Sequence, residues 1–474
     1  MPVTVFSPLT LPNGSVIGNR LAKAAMEENM AGAGQLPDEA LFRLYRRWSA
    51  GGAGLLITGN VMVHAEALTG PAGVVLDAHS PLEPFRAWAA AAHSGGARVW
   101  MQINHPGRQV MANMPGVAWG PSAIRVDIGR NSKRLAQPVE MTAEQIEATV
   151  ARFAETARRA ELAGFDGVEI HAAHGYLLSQ FLSPLSNRRT DRWGGTLENR
   201  ARLLLDVVGA VRASVAPGFT VAVKLNSADF QRGGFDAADA RQVIGLLAPL
   251  GVDLVELSGG SYESPAMTGH SPADERTRAR EAYFLTLAED LAAASPLPLM
   301  LTGGIVRRPV AEEVLAGGID LVGMGTALAV DPDLPNKWRA GGGAAGHPRA
   351  GRDQGQGRSV GRRHGPSPLS AAPPGQGPTH PPRGSAAGRL RPGNRPAAPC
   401  PAPLPDLAAG PAYILIAGSS RVRFQSWLRR ADSDEITNAP TQMPTSVAIA
   451  CQSRKSMPPR MSWRNPLTPY VIGS

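Results

Sequence analysis

The stretch MTAEQIEATVARFAETARRAELAGFDGVEIHAAH, residues 141–174, decides the fold because two periods meet in it. In its first part Thr142 stands as a helix N-cap with Gln145 three positions on, the spacing of a capping box. Ile146, Val150, Phe153 and Ala157 share one face, and Gly164 supplies the stop. The second part, FDGVEIHAA, is a nearly continuous apolar run with no alternation. Such a run suits a strand of a parallel sheet covered on both faces. A helix feeding directly into a buried strand is the repeating element of a β/α fold.

The same junction recurs along the chain. Candidate strands are RLAKAAM (20–26), GLLITGNV (54–61), RVWMQIN (98–104), FDGVEIHAA (165–173), TVAVKLN (220–226), DLVELSGG (253–260), PLMLTGG (298–304) and DLVGMGT (320–326). Amphipathic segments 197–215, 236–251 and 307–318 separate several of them, often ending in glycine just before the next strand. Eight alternations over some 310 residues predict an α/β chain folded as a (β/α)8 TIM barrel, with its active site at the C-terminal ends of the strands. An open doubly wound sheet is the competing arrangement, but no GxGxxG turn follows the first strand. The eighth helix is the weak element, because regular patterning fades after DPDLPNKW (331–338).

Composition divides the chain at that point. Residues 339–474 hold 18 Lys and Arg against 5 Asp and Glu, with 21 prolines and 17 glycines. Residues 1–338 hold 30 basic against 34 acidic residues, so the basic character of the whole chain belongs to the tail. Residues 1–338 are therefore expected to form the barrel domain. Residues 339–474 are expected to be a low-complexity Arg/Pro/Gly-rich tail, either disordered or translated out of register from a GC-rich frame. No nucleic-acid or membrane partner is implied for the body. Both cysteines, Cys400 and Cys451, lie in the tail, so the body offers no thiolate metal site or iron–sulfur cluster. The start lacks a basic segment followed by an apolar stretch, and no run approaches 18 apolar residues. The expectation is a soluble cytoplasmic protein.

Polar residues at the strand ends should converge. They include Glu27 and Glu28, Asn60, Gln102, Asn104 and His105, His171, Lys224 and Asn226, then Glu256 and Ser258. Glycines gather after the last three strands, where barrels commonly build a phosphate site from backbone amides. On its own the His171–His174 pair with Tyr176 leaves a metal site, a proton-transfer set and a structural pair open, the structural reading being the commonest for such a pair at a strand end. Metal ligation is the weakest of these, since HAAHG is not an HExxH helix.

The segments NRLAKAAM (19–26), MQINHPGRQ (101–109), HAAHGYLLSQFLSPLSNRRTDRWGGTLENR (171–200), VKLNSADF (223–230) and LTGGIVRRPVAEEVLAGGIDLVGMG (301–325) together resemble the Old Yellow Enzyme family of flavin-dependent ene-reductases. They occur in that family's order, from about residue 5 to residue 338. The resemblance implies a bound FMN, NADH or NADPH as transient reductant, and a small enone-type substrate. It implies that His171 and His174 hold the oxygen of the activating group and that Tyr176 donates a proton. Ala24, Ala25 and Met26 would line one flavin face, with Glu27, Gln102 and Lys224 around the ring, while Asn60 and Arg108 read equally as loop architecture or as cofactor and ligand contacts. Gly303, Gly304, Gly325 and Thr326 would hold the phosphate. No metal is implied, and the oligomeric state stays open.

Three positions depart from the family pattern, the mildest being Trp193 in place of the usual Tyr. Glu27 replaces the usual Thr or Cys, and an ionised carboxylate there could not donate a hydrogen bond and would oppose flavin reduction. Thr326 replaces a phosphate-binding Arg, so weaker phosphate affinity is expected. Glu198 and Arg200 read as helix-start and ion-pair residues. Two other outcomes remain in play: a metal-assisted lyase or aldolase barrel using Glu27, His105, His171 and His174, and a barrel truncated at its eighth helix that cannot function.

Overall fold

The computed structural model describes residues 3–264 and 288–342, together with the strand pair Tyr413–Ile414 and Val422–Arg423. The remainder of the expected tail, and the stretch 265–287, lie outside the described residues.

Eight strands close a parallel barrel: β1 Leu21–Lys23, β2 Leu55–Ile57, β3 Arg98–Asn104, β4 Gly167–Ala172, β5 Thr220–Asn226, β6 Leu254–Ser258, β7 Leu299–Thr302 and β8 Leu321–Met324. Each pairs with its neighbours in chain order, and β8 returns to β1 through the partners Val322 with Leu21 and Gly323 with Ala22. These eight segments lie within the eight apolar runs of the sequence. An additional short strand, Val61–Met62, leans on β3 where the apolar run GLLITGNV outlasts β2.

The decisive stretch folds as its pattern requires. Helix α3, Ala143–Leu162, follows α1 (Glu39–Ala50) and α2 (Glu83–His93). At its start the Gln145 amide donates to Thr142 Oγ1 at 3.3 Å, while the Thr142 amide donates to Gln145 Oε1 at 2.9 Å. Two orphan donors are thus satisfied reciprocally. Gly164, at φ +89°, ends the helix in a conformation that side-chain-bearing residues disfavour. Helices α4 (Leu197–Ser214), α5 (Ala237–Leu247) and α6 (Arg308–Ala316) occupy three further expected segments. Among the described residues no helix is long and apolar enough to cross a membrane.

The eighth helical position is filled by two short helices, α7 (Thr326–Val330) and α8 (Leu334–Arg339). Pro332 and Pro335 explain the break, since neither can donate to a continuous helical ladder. The pair nevertheless docks firmly. Trp48 on α1 donates through Nε1 to the Leu328 carbonyl at 2.9 Å, and Asn336 donates to the Ala50 carbonyl at 2.8 Å. Arg308 holds the Trp338 carbonyl at 2.9 Å, and the Trp338 side chain is fully buried. An unclosed barrel, foreseen if the eighth helix failed, is not what forms: β8 and β1 pair and leave no free edge there.

Inside the barrel the side chains are sorted by height. Leu9, Leu11 and Ile17, from the hairpin ahead of β1, pack with Ala22, Leu55, Trp100, Ala222, Leu254, Met300 and Leu321 in one apolar cluster. Because side chains alternate along a strand, residues two further on share that inward face. From Trp100 the rule leads to Gln102 and Asn104, from Ala222 to Lys224 and Asn226, and from Leu254 to Glu256 and Ser258. The interior therefore passes from an apolar floor to a polar mouth.

Candidate active site

The first polar layer is set by strand register. Glu169 on β4 lies opposite Gln102 on β3, and Gln102 Nε2 donates to Glu169 Oε2 at 2.6 Å. Lys224 on β5 lies opposite Glu256 on β6, and its ammonium binds that carboxylate. All four are buried. Burial, then the Glu256 charge, pushes Glu169 well above the usual carboxylate range. Burial also works against ionised Glu256, but Lys224 and the hydrogen bond from Glu169 outweigh it and hold Glu256 low. Burial thus favours the neutral form of Glu169 beside the Lys224–Glu256 ion pair. The lysine interrupting VAVKLN has its partner, and its charge is shared with Glu256.

The next layer carries the histidine pair. His171 closes β4, and its Nδ1 accepts the Ala173 amide at 3.3 Å. His174 takes φ +60°, a left-handed conformation uncommon outside glycine, and is braced from three sides. Its amide donates to Asn226 Oδ1 at 3.1 Å, its carbonyl accepts Gln109 Nε2 at 3.1 Å, and its Nε2 meets Ser258 Oγ at 2.7 Å. The two imidazoles lie edge to face with centroids 5.1 Å apart, and the Tyr176 ring is 4.9 Å from His171. Burial, reinforced by the neighbouring His174 and Lys224, holds His171 far below the ordinary imidazole range. Burial and Lys224 bring His174 down to about 3. Both rings are neutral at physiological pH, so each offers a single N–H.

Tyr176 is buried, and burial, then Tyr262 and Glu27, keep its phenol protonated well above the usual tyrosine value. Its hydroxyl lies 3.2 Å from the Tyr262 hydroxyl. Tyr262 belongs to the loop after β6, where Arg108 fixes the next residue: its Nη2 meets Glu263 Oε2 at 2.5 Å. Arg108 also caps the Ile124 and Arg125 carbonyls, both at 3.1 Å, so it acts on loop architecture. Asn60 is buried beside the Tyr176 phenol. Arg200 pairs with Asp239 at 3.2 Å and Glu198 lies in the first turn of α4, as their spacing suggested.

Glu27 corrects a chemical expectation. Burial pushes its carboxyl up to about 7, against the acidifying hydrogen bond it accepts from Thr69. Near neutrality it is therefore partly protonated and can donate a hydrogen bond, which an ionised carboxylate could not. Glu28 beside it has turned away, accepting from the Tyr45 hydroxyl at 2.5 Å and pairing with Lys23 at 3.6 Å.

Opposite this polar arc, Gly303 and Gly304 follow β7, while Gly325 and Thr326 begin α7. Among the described residues their four amides have no backbone acceptor. At the end of β3, Asn104 Oδ1 and Nδ2 are buried without a partner among the described residues. Backbone amides after β7 and β8, with an unpaired Asn104 amide and buried polar side chains across the mouth, suit a ligand with an anionic end and a flat polar head. FMN fits that donor set. No group of three His, Cys, Asp or Glu residues able to hold a metal occurs among the described residues, so the lyase arrangement has no ligand set there.

Glu169, Tyr262 and Glu263 were not singled out from sequence. Glu169 had a signal: a charge inside VEIHAA, two residues before His171 and so on the same inward face. Tyr262 had none, because a loop residue meets Tyr176 only through the fold.

The fold and this site define a flavin-type (β/α)8 barrel. A sequence profile of the NADH:flavin oxidoreductase / NADH oxidase family matches residues 4–342, and the chain belongs to that family. The Old Yellow Enzyme resemblance and FMN as the cofactor are thereby borne out. The chain is 40% identical over 354 residues to the NADH-dependent flavin oxidoreductase iliE of Neonectria sp. (strain DH2), covering 69% of this chain and 46% of that protein. It thus spans about half of that relative's length. It is 36% identical over 349 residues to the NADH-dependent flavin oxidoreductase iliE of Hypocrea jecorina (strain QM6a), covering 69% of this chain and 87% of that one. Among solved structures it is similar to a morphinone reductase variant in complex with tetrahydroNAD. That match has 25% identity and a TM-score of 0.60, and covers 72% of this chain and 91% of the other.

Proposed function

We propose that this chain reduces the C=C bond of α,β-unsaturated carbonyl compounds at the expense of NADH or NADPH. The observation that carries the reading is the pair of neutral imidazoles set edge to face beside a protonated, buried phenol. Two N–H donors converging on one point recognise a carbonyl oxygen and stabilise the charge that grows on it. A phenol alongside them has a proton to give to the adjacent carbon.

The residues that would hold FMN are Gln102 and Lys224 at the ring, with Asn60 and Glu27 near its edge and the backbone of Ala24–Met26 along one face. The amides of Gly303, Gly304, Gly325 and Thr326 would take the phosphate. When bound, FMN supplies hydride relay from the nicotinamide to the β-carbon of the acceptor. His171 and His174 orient the acceptor by its oxygen and polarise the conjugated system. Tyr176 delivers its hydroxyl proton to the α-carbon, with Tyr262 close enough to accept or donate behind it. His171, His174 and Tyr176 are themselves buried, which limits competition from water for the histidine donors.

The test is direct. Purified full-length protein should carry FMN and should convert 2-cyclohexen-1-one to cyclohexanone when NADH or NADPH is supplied. A colourless protein, or an FMN protein that oxidises NADH without forming the saturated ketone, would defeat the proposal.

A further inference from the structure

The two histidines are neutral, so each has one proton, and which nitrogen carries it decides whether the pair can act as two donors. His171 settles this within its own turn. Its Nδ1 accepts the Ala173 amide, which leaves the proton on Nε2. His174 has no such backbone donor. Its Nε2 contacts Ser258 Oγ at 2.7 Å, and no partner of its Nδ1 is present among the described residues. A serine hydroxyl can donate or accept at that distance, with opposite results. If His174 donated from Nε2, its Nδ1 would be a lone pair directed at the substrate oxygen.

The surroundings of Ser258 favour one direction. Its hydroxyl is buried, and among the described residues His174 Nε2 is the one hydrogen-bond partner of Oγ. Were that hydroxyl to accept from His174, its own hydrogen would be buried with no acceptor, a costly arrangement. The strand end itself is held in place, because the Ser258 carbonyl accepts from the Ser227 amide at 2.7 Å and the Ser227 hydroxyl at 2.9 Å. Asn226 and Gln109 meanwhile fix the His174 backbone, from which the ring reaches Ser258.

We infer that Ser258 is a positioning residue: its hydroxyl donates to His174 Nε2 and thereby holds the proton on Nδ1, so that His174 and His171 present two N–H groups to one oxygen. The inference rests on the proposed reduction for its purpose, but the tautomer is measurable without any reaction. Residues orienting a histidine in this way typically change function by about ten- to a hundredfold when removed.

The experiment uses the full-length FMN-loaded protein with 15N-labelled histidine, the His174 signals being assigned by their loss in His174→Asn. The expected spectrum has a protonated Nδ1 and a bare Nε2 at His174. Ser258→Ala should shift those signals toward a mixture of tautomers and lower enone turnover about tenfold, and Ser258→Thr, which keeps the hydroxyl, should restore both. A protonated Nε2 in the parent protein would overturn the inference even if Ser258→Ala failed to fold. So would a Ser258→Ala protein whose turnover fell while its tautomer stayed unchanged. A parent with Nδ1 protonated that failed to reduce enones would sink the proposed function and leave this inference standing.

Discussion

The two arcs of the barrel mouth are built from different material. From β3 to β6 the inward positions carry long polar side chains, and the layer beneath is paired in register: Gln102 with Glu169, Lys224 with Glu256. After β7 and β8 the side chains all but vanish and the chain offers bare amides at Gly303, Gly304 and Gly325. The difference teaches how one fold separates chemistry from anchoring. Groups that act on a substrate must be aimed, and aiming a buried polar group requires a partner. Groups that hold an anion need only present backbone, and glycine brings that backbone close.

Breaking the polar arc at its acting end should have the largest effect. Tyr176→Phe removes a proton donor while keeping the ring against His171. Turnover of enones should fall by about 10²–10⁴-fold, with the FMN content of the purified protein unchanged. Loss of FMN instead would move Tyr176 to the anchoring side of the comparison.

A structural break comes next. Glu256→Leu takes the facing carboxylate away from the Lys224 ammonium, which stays buried. Removing one partner of a buried pair costs about 3–5 kcal/mol, to be read as a lower denaturation midpoint in urea. A double change to Lys224→Met with Glu256→Leu should recover most of that loss, since no unpaired charge then remains.

The smallest effect belongs to Glu27, at the seam between the arcs. Its carboxyl titrates near 7 in the folded protein instead of at its ordinary 4.5. Between those values the folded chain binds more protons than the unfolded one, so this group makes stability fall as pH rises from 4.5 to 7. Above 7 the deficit is complete, and below 4.5 it is absent. Glu27→Gln should therefore be more stable than the parent above pH 7 and equal to it below 4.5, measured by thermal melts across that range. Equal melts at every pH would mean that the surroundings of the half-buried Glu27 do not raise its carboxyl.

Much of this was legible in the sequence because it is local. The capping box at Thr142, the glycine stop at Gly164 and the eight apolar runs are patterns within a few residues, and each became the expected element. The motif residues His171, His174 and Tyr176 do come together. What stayed hidden depends on register and burial. That Lys224 meets Glu256 and that Tyr262 reaches Tyr176 follow from neighbours 32 and 86 positions away, and the raised Glu27 carboxyl follows from desolvation in the fold. The proline-split end of the barrel misled for another reason: Pro332 and Pro335 erase helical periodicity, yet Trp338 and Asn336 still dock.

The most direct test of the central claim is the rate at which 2-cyclohexen-1-one reoxidises the NADH-reduced, FMN-loaded protein without oxygen, compared between the parent and His171→Ala/His174→Ala. Losing both N–H donors should slow reoxidation by about 10²–10³-fold or more. A rate within a few-fold of the parent would contradict the account, because the carbonyl would then be activated somewhere other than between the two histidines.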